Sequence, residues 1–126
     1  MVKKPSEIKH KIFREILMMQ NLKEPYQIEM TSLADIPAGT GLGSSGAFTV
    51  SVIKALQVFN SEYSSNISIA ELACHIEIER LREPVGKQDQ YISAIGGICE
   101  FFFNKDDTVE VNRLNISQKN LNSCLL

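Results

Sequence analysis

The 126-residue chain has no long hydrophobic run and no excess of basic residues. Because no stretch of about 18 apolar residues occurs, the sequence predicts no membrane-spanning helix. The segment 1–6 has no apolar core after its two lysines, which argues against a signal peptide. A formal net charge of −2 lacks the basic surplus typical of nucleic-acid-binding proteins. We therefore expect a cytoplasmic protein with neither a nucleic-acid nor a membrane partner.

The chain also has few of the histidine and cysteine residues that form metal sites and disulfides. The chain has only two histidines, and its three cysteines, Cys74, Cys99 and Cys124, are odd in number and lack the spacing of metal ligands. We expect reduced, mostly buried thiols and no histidine-based metal site. The length predicts one domain, and a hydrophobic content of 44% is ordinary for a globular protein.

What the chain does have is a glycine-rich segment at residues 36–47, with the sequence IPAGTGLGSSGA. Closely spaced glycines allow tight bends and leave room for a ligand to approach the backbone. A helical pattern begins directly after them, and a helix start offers unpaired N–H groups and the positive end of its dipole. The segment therefore predicts an anion-binding loop, with phosphate as the expected anion.

Three familiar glycine motifs fit this loop poorly. A P-loop requires a lysine where the chain has Ala47, and the esterase pattern G-x-S-x-G matches in no register. A dinucleotide fingerprint fits Gly41, Gly43 and Gly46, but the helix is followed by polar turn residues rather than by a second parallel strand. A glycine-rich turn that only joins a strand to a helix is the remaining alternative.

Hydrophobic periodicity predicts a mixture of helices and strands. Helices are expected at residues 6–20, 45–60, 68–82 and 88–95, and strands at 26–33, 98–103 and 108–114. Ser6 is a candidate N-cap, and Ser68 with Glu71 forms a candidate capping box. Glu79 and Arg80 continue the apolar stripe of the third helix, where a charge is costly unless it is paired or functional.

Two segments together resemble the GHMP kinases, the superfamily of galactokinase, homoserine kinase and mevalonate kinase. Residues 37–45 resemble the second family motif, in which Gly-Leu-Gly-Ser-Ser is usually followed by Ala; here Gly46 takes that place. Residues 79–90 and the pair Gly96–Gly97 resemble the region around the family's catalytic acid. The string PVGKQDQY is most similar to the heptose-7-phosphate kinase branch, and fucokinase-like members share the QDQ portion.

This resemblance implies an α+β fold, the N-terminal GHMP domain of the ribosomal protein S5 domain 2-like class. It implies phosphorylation of a sugar or sugar phosphate, with ATP and Mg²⁺ as cofactors. Ser45 and Glu79 would bind the metal, and Asp89 would be the catalytic base. From its position two residues before Asp89, Lys87 is expected to assist Asp89 or to hold a phosphate. Lys87 as a solvated surface residue is an equal alternative. The implied phosphate-binding residues are Pro37, Gly39, Gly41, Leu42, Gly43, Ser44, Ser45, Gly46 and Ala47; Ser44 as only an N-cap is the alternative there.

The resemblance covers roughly residues 6–114 and therefore only the middle of such a kinase. We expect residues 1–126 to form a single partial N-terminal domain, without the C-terminal GHMP domain and with little activity in isolation. A non-catalytic fragment or interaction module that keeps only the fold is the alternative function. The expected partners are ATP and a sugar phosphate, and a homodimer is left open.

Overall fold

The computed structural model describes residues 4–19, 28–35 and 39–116. Its elements follow one another along the chain as a helical group and then a hairpin: a 3₁₀ turn at Pro5–Glu7, α1 Lys11–Met19, α2 Ser44–Phe59, α3 Asn66–Cys74, a π-helical segment His75–Arg80, α4 Gln88–Ile95, β1 Cys99–Phe103 and β2 Val109–Arg113. Within the described ranges, no helix combines the length and the apolar character needed to cross a bilayer.

The first predicted helix begins later than its sequence pattern suggests. Ser6 lies inside the 3₁₀ turn rather than at a helix N-cap, and the chain is extended at Ile8 before α1 begins at Lys11. Ile16 and Leu17 of α1 are buried. The apolar spacing before Lys11 therefore belongs to a separate turn, and the predicted Gln20 terminus lies outside the described residues.

The strand predicted at residues 26–33 does not form in its described part. Residues 28–35 have no regular secondary structure, although Ile28 and Met30 are half-buried against the core; residues 26 and 27 lie outside the described residues. Alternation alone does not make a strand, because a strand also needs a hydrogen-bonding partner. In the described part of the chain the sheet contains only β1 and β2.

The core lies where α3 and α4 pack against α2, with α1 adding one side. Most of its apolar members are aliphatic side chains or alanines, which lets the helices approach closely. The buried apolar residues are Ile16, Leu17, Val50, Val52, Ile53, Leu56, Ile69, Ala70, Ala73, Cys74, Ile76, Tyr91 and Ala94. This packing fixes the start of α2 against the start of α4.

The third helix differs from its prediction at both ends. Its N-cap is Ser65, whose Oγ accepts a hydrogen bond of 3.1 Å from the Ser68 N–H, so Ser68 is capped rather than capping. After Cys74 the helix widens into the π-helical segment, in which the Leu81 N–H bonds the Ile76 carbonyl five residues earlier. Such wide turns are rare in proteins, and many of those that occur lie at functional sites.

The predicted hairpin is confirmed. β1 and β2 pair antiparallel, with Phe101 opposite Val111, and the connecting turn falls on residues 104–107 as expected. Asp107 closes this turn in the left-handed region, at φ 67°. Polar turn residues between two alternating apolar runs are a strong local indication of a hairpin, which explains why this prediction holds.

Candidate functional site

The glycine loop has a regularly alternating backbone. Gly39, Gly41 and Gly43 have φ angles of 82°, 75° and 72°, in the left-handed region that residues with a Cβ rarely adopt. Gly43 is the N-cap of α2, and glycine has no side chain with which to cap the helix. Gly43 therefore gives no side-chain cap to the first N–H groups of α2, those of Ser44, Ser45 and Gly46, of which Gly46 is buried.

The other predicted phosphate-binding residues are placed differently. Ser44 is the first residue of α2 rather than its N-cap. The Ala47 N–H donates to the Gly43 carbonyl at 3.0 Å, so it belongs to the helix ladder and not to an open cradle. The Leu42 side chain is exposed. Pro37 lies outside the described residues.

Asp89 lies directly against this loop. A Cβ built on Gly43 would be 3.1 Å from Asp89 Cγ and 3.3 Å from its Oδ1. A Cβ built on Gly46 would be 3.0 Å from Asp89 Cβ and 3.1 Å from the backbone nitrogen of Gln90. The first turns of α2 and α4 are therefore in contact, and the two glycines leave the room that the Asp89 side chain occupies.

A second carboxylate, that of Glu77, is fully buried beneath the start of α2. One of its oxygens pairs with the Thr49 hydroxyl, and the other accepts a hydrogen bond of 2.7 Å from the Gln90 amide. The Thr49 hydroxyl also lies 3.0 Å from the Ser45 carbonyl oxygen. A single hydroxyl thus connects Ser45 with Glu77.

Glu79 does not approach the loop. Its side chain is 68% exposed and pairs with His75 Nδ1 at 2.9 Å. The predicted metal ligand is thus a surface residue, and the buried acid is two positions earlier. Glu79 follows the buried Ile76 by three residues, but the buried face of this segment continues through Glu77 instead.

A cue to Glu77 was present in the sequence. Ala70 and Cys74, both buried, lie seven and three residues before Glu77, so a stripe drawn through the small residues leads to it. A three-residue step from Ile76 leads to Glu79 instead.

Lys87 is bound to the hairpin rather than to Asp89. Its ammonium group donates to the Asp107 carbonyl oxygen at 2.9 Å and to the Asp107 carboxylate at 3.1 Å. These contacts tie the loop before α4 to the turn between β1 and β2. No contact of Lys87 with Asp89 supports the predicted assistance, and Lys87 instead holds the loop that precedes Asp89.

A pocket of about 460 Å³ opens beside the glycine loop. His10 and Phe48 form one wall, with their rings 4.7 Å apart. Phe48 is only half-buried and faces this pocket. The pocket is lined by His10, Ile12, Phe13, Met30, Ser32, Ala34, Gly39, Ser44, Ser45 and Phe48. No sequence pattern pointed to it, because its residues come from four separate segments.

Two ionisable groups in the packed helices are shifted toward their neutral forms. Burial raises the pKa of the Cys74 thiol to about 11, and it also raises the pKa of the Tyr91 hydroxyl. Cys74 is a buried free thiol and Cys99 a half-buried one, while Cys124 lies outside the described residues. A thiol that remains protonated at neutral pH is a poor nucleophile, so Cys74 is a packing residue.

The donors near the loop suit Mg²⁺, which prefers oxygen ligands and usually takes only one or two carboxylates from protein. The Glu77 carboxylate offers about four lone-pair positions, of which Thr49 and Gln90 occupy two. Ser45 adds an exposed residue bearing a hydroxyl. No cluster of three or more acidic, histidine or cysteine side chains occurs in the described ranges, so the phosphate and water would have to complete the coordination.

Comparison with known proteins gives the family. The sequence profile of the GHMP kinases N terminal domain matches residues 8–97, which include the glycine loop, Glu77 and Asp89. The chain belongs to the GHMP kinase family. The observed mixture of helices with a small sheet is accordingly that of the family's N-terminal domain, as the two motifs implied.

Two relatives are similar over most of this chain. D-glycero-alpha-D-manno-heptose 7-phosphate kinase of Campylobacter jejuni is 40% identical over 96 residues, which is 75% of this chain and 28% of the relative. The crystal structure of a D-glycero-D-manno-heptose 1-phosphate kinase from Bacteriodes thetaiotaomicron superimposes with a TM-score of 0.80 at 33% identity, covering 89% of this chain and 36% of that one. The chain thus spans about a third of the length of these relatives.

Proposed function

We propose that this GHMP chain binds Mg²⁺-ATP and takes part in phosphorylating a sugar phosphate of the heptose phosphate class. The observation that carries the proposal is that Asp89 lies against the first turn of α2, while the buried Glu77 carboxylate is joined to Ser45 of that turn through the Thr49 hydroxyl. A helix start attracts phosphate, and phosphoryl transfer needs positioning and neutralisation of charge more than covalent chemistry. The substrate class rests on the substrates after which the two relatives are named.

The triphosphate is assigned to the first turn of α2. The N–H groups of Ser44, Ser45 and Gly46 have no partner earlier in the helix. Gly39 and Gly41 before them are in the left-handed region, and a Cβ on either would meet nothing within 4 Å. The nucleoside base is assigned to the adjoining pocket, where Phe13 and Phe48 offer apolar surface. A mostly apolar cavity with a few polar groups at one end is typical of small-molecule sites.

Ser45 and Glu77 are the residues that would hold Mg²⁺, with Glu77 replacing Glu79 as the acid. When bound, the metal supplies neutralisation of the charge on the phosphates. Asp89, exposed and beside the loop, accepts the proton of the attacking sugar hydroxyl and orients that oxygen toward the phosphate. Lys87 keeps the loop before Asp89 attached to the hairpin through Asp107.

The two acids allow a sharp test, because Glu77 and Glu79 are neighbours on one helix with opposite environments. Mg²⁺-ATP binding by the purified chain would be measured by calorimetry for Glu77→Gln and for the matched control Glu79→Gln. We expect Glu77→Gln to weaken binding at least tenfold and Glu79→Gln to leave it within twofold. Equal affinities for both variants would refute the assignment of the metal to Glu77.

Turnover tests the reaction itself. Heptose 7-phosphate and heptose 1-phosphate would be offered with Mg²⁺-ATP to the chain, both alone and within any longer polypeptide that its gene encodes. Phosphorylation that disappears in Asp89→Asn supports the proposal. Tight Mg²⁺-ATP binding with no turnover in either form would instead favour a non-catalytic module that keeps the fold.

A further inference from the structure

The buried carboxylate of Glu77 is held from two sides by residues of two different helices. Thr49 lies in α2 and Gln90 in α4, while Glu77 lies in the π-helical segment. All three side chains are buried, and Gln90 is only 1% exposed. The contact therefore joins three elements at one charged group within the helical core.

The Thr49 hydroxyl has one hydrogen and two acceptors beside it. The Glu77 carboxylate is the closer acceptor, and the Ser45 carbonyl oxygen lies 3.0 Å away. A hydrogen bond to an ionised group is stronger than one to a neutral carbonyl, so the hydroxyl is drawn to Glu77. Thr49 thereby differs from Ser51 of the same helix, whose hydroxyl bonds the Ala47 carbonyl four residues earlier, at 2.7 Å, and no other group among the described residues.

Of the two ways in which the Gln90 amide could be turned, only one allows it to donate a hydrogen bond to Glu77. An ionised carboxylate is purely an acceptor, so the NH₂ group must face Glu77, as the 2.7 Å contact has it. In that orientation Gln90 Oε1 is buried and has no hydrogen-bond partner among the described residues. Buried acceptors are usually satisfied. Leaving this one unpaired indicates that the bond to Glu77 determines the placement of Gln90.

We propose that Thr49 and Gln90 are positioning residues, which hold the Glu77 carboxylate in one orientation beneath Ser45 and thereby set the affinity for the metal–nucleotide complex. This inference rests on the proposed function. Partners that orient a metal-binding carboxylate commonly change metal affinity by about 10–100-fold when they are removed. They leave the phosphate contacts of α2 untouched, so the affinity for metal-free ATP should not change.

The test compares isosteric and conservative variants of the chain. Thr49→Val removes the hydroxyl at constant size, and Gln90→Met removes the amide at similar length. We expect each to weaken Mg²⁺-ATP binding by about tenfold while binding of ATP in EDTA stays within twofold. Thr49→Ser should restore most of the lost affinity, and Ser51→Ala is the matched control on α2, expected to bind like the unmodified chain.

A double-mutant cycle shows whether these residues act through Glu77. In a Glu77→Gln background, Thr49→Val should cause no further loss of Mg²⁺-ATP affinity, because the group it positions is already gone. A further tenfold loss there would overturn the inference. So would a folded Thr49→Val or Gln90→Met variant that binds Mg²⁺-ATP as tightly as the unmodified chain.

Failure of this inference can be told apart from failure of the proposed function. If the unmodified chain binds no Mg²⁺-ATP, the proposed function fails and the inference falls with it. If it binds and the two variants do too, only the positioning roles are refuted. Urea unfolding of each variant identifies loss of fold. Should Thr49→Val not fold, Gln90→Met tests the same inference from the other side of Glu77, and Thr49→Ser tests it at position 49.

Discussion

Replacing Gly46 by alanine tests the contact between α2 and α4 on which the site depends. The added Cβ would lie 3.0 Å from Asp89 Cβ, 3.1 Å from the Asp89 carbonyl carbon and 3.1 Å from the Gln90 nitrogen. Two of these neighbours are backbone atoms of α4, which cannot swing aside as a flexible side chain would. The start of α4 must therefore move away by a few tenths of an ångström.

Two opposing effects set the size of the change in stability. Alanine is favoured over glycine within a helix by about 1 kcal/mol. Overfilling a packed interface costs about 1–3 kcal/mol. Because the close neighbours are backbone, we expect the second effect to win and Gly46→Ala to lower the free energy of unfolding by about 1 kcal/mol. The same shift moves Asp89 from the loop, so turnover should fall as well.

Gly86→Ala is the matched control. A Cβ at Gly86 would meet nothing within 4 Å, and Gly86 is not among the glycines with positive φ. It should raise stability by about 0.4–1 kcal/mol, by restricting the unfolded chain. Urea unfolding monitored by circular dichroism measures the free energy of unfolding of both variants, provided that the m value is unchanged. A Gly46→Ala variant that is more stable than the unmodified chain, with unchanged Mg²⁺-ATP binding, would refute the close approach of the two helices.

Three further outcomes are expected. Asp89→Asn should reduce turnover by about 10²–10⁴-fold, the usual contribution of a general base, while Mg²⁺-ATP binding changes only a few-fold; loss of both in parallel would contradict the role. Iodoacetamide should modify Cys74 far more slowly than Cys99 at pH 8, because the raised pKa keeps the Cys74 thiol protonated until the pH nears 11; peptide mass spectrometry measures both rates, and equal rates would contradict its burial. Lys87→Met should destabilise the protein by no more than about 1 kcal/mol, since Asp107 is exposed, and should speed amide exchange in the hairpin turn; unchanged exchange would show that the ion pair does not hold the turn.

Local signals explain what the sequence predicted well. The hairpin follows from the polar residues 104–107 between two apolar runs, and α4 ends where Gly96 follows it. The glycine loop and Asp89 were found as candidate site elements because their spacing resembles a known family. Each of these depends on residues that are close together along the chain.

The missed features depend on contacts between distant segments. No periodicity rule anticipates the π-helical segment, and the step from Ile76 predicted Glu79, whereas Glu77 is the acid that lies inside the core. The role of Gly46 was likewise hidden, since exchanging it with alanine looks conservative until α4 is seen to pack on it. Lys87 was assigned by its distance from Asp89 in the sequence, but its ammonium group turns toward Asp107 instead.

The meeting of two helix starts has an electrostatic consequence. α2 and α4 touch through their first turns, so two positive dipole ends lie side by side and repel one another. The negative side chain of Asp89 sits between them and offsets that repulsion while no nucleotide is present. A polyphosphate that binds here would lie beside this carboxylate, and the two negative charges would repel each other. We therefore expect ATP to bind preferentially as its complex with a divalent cation, which offsets that repulsion.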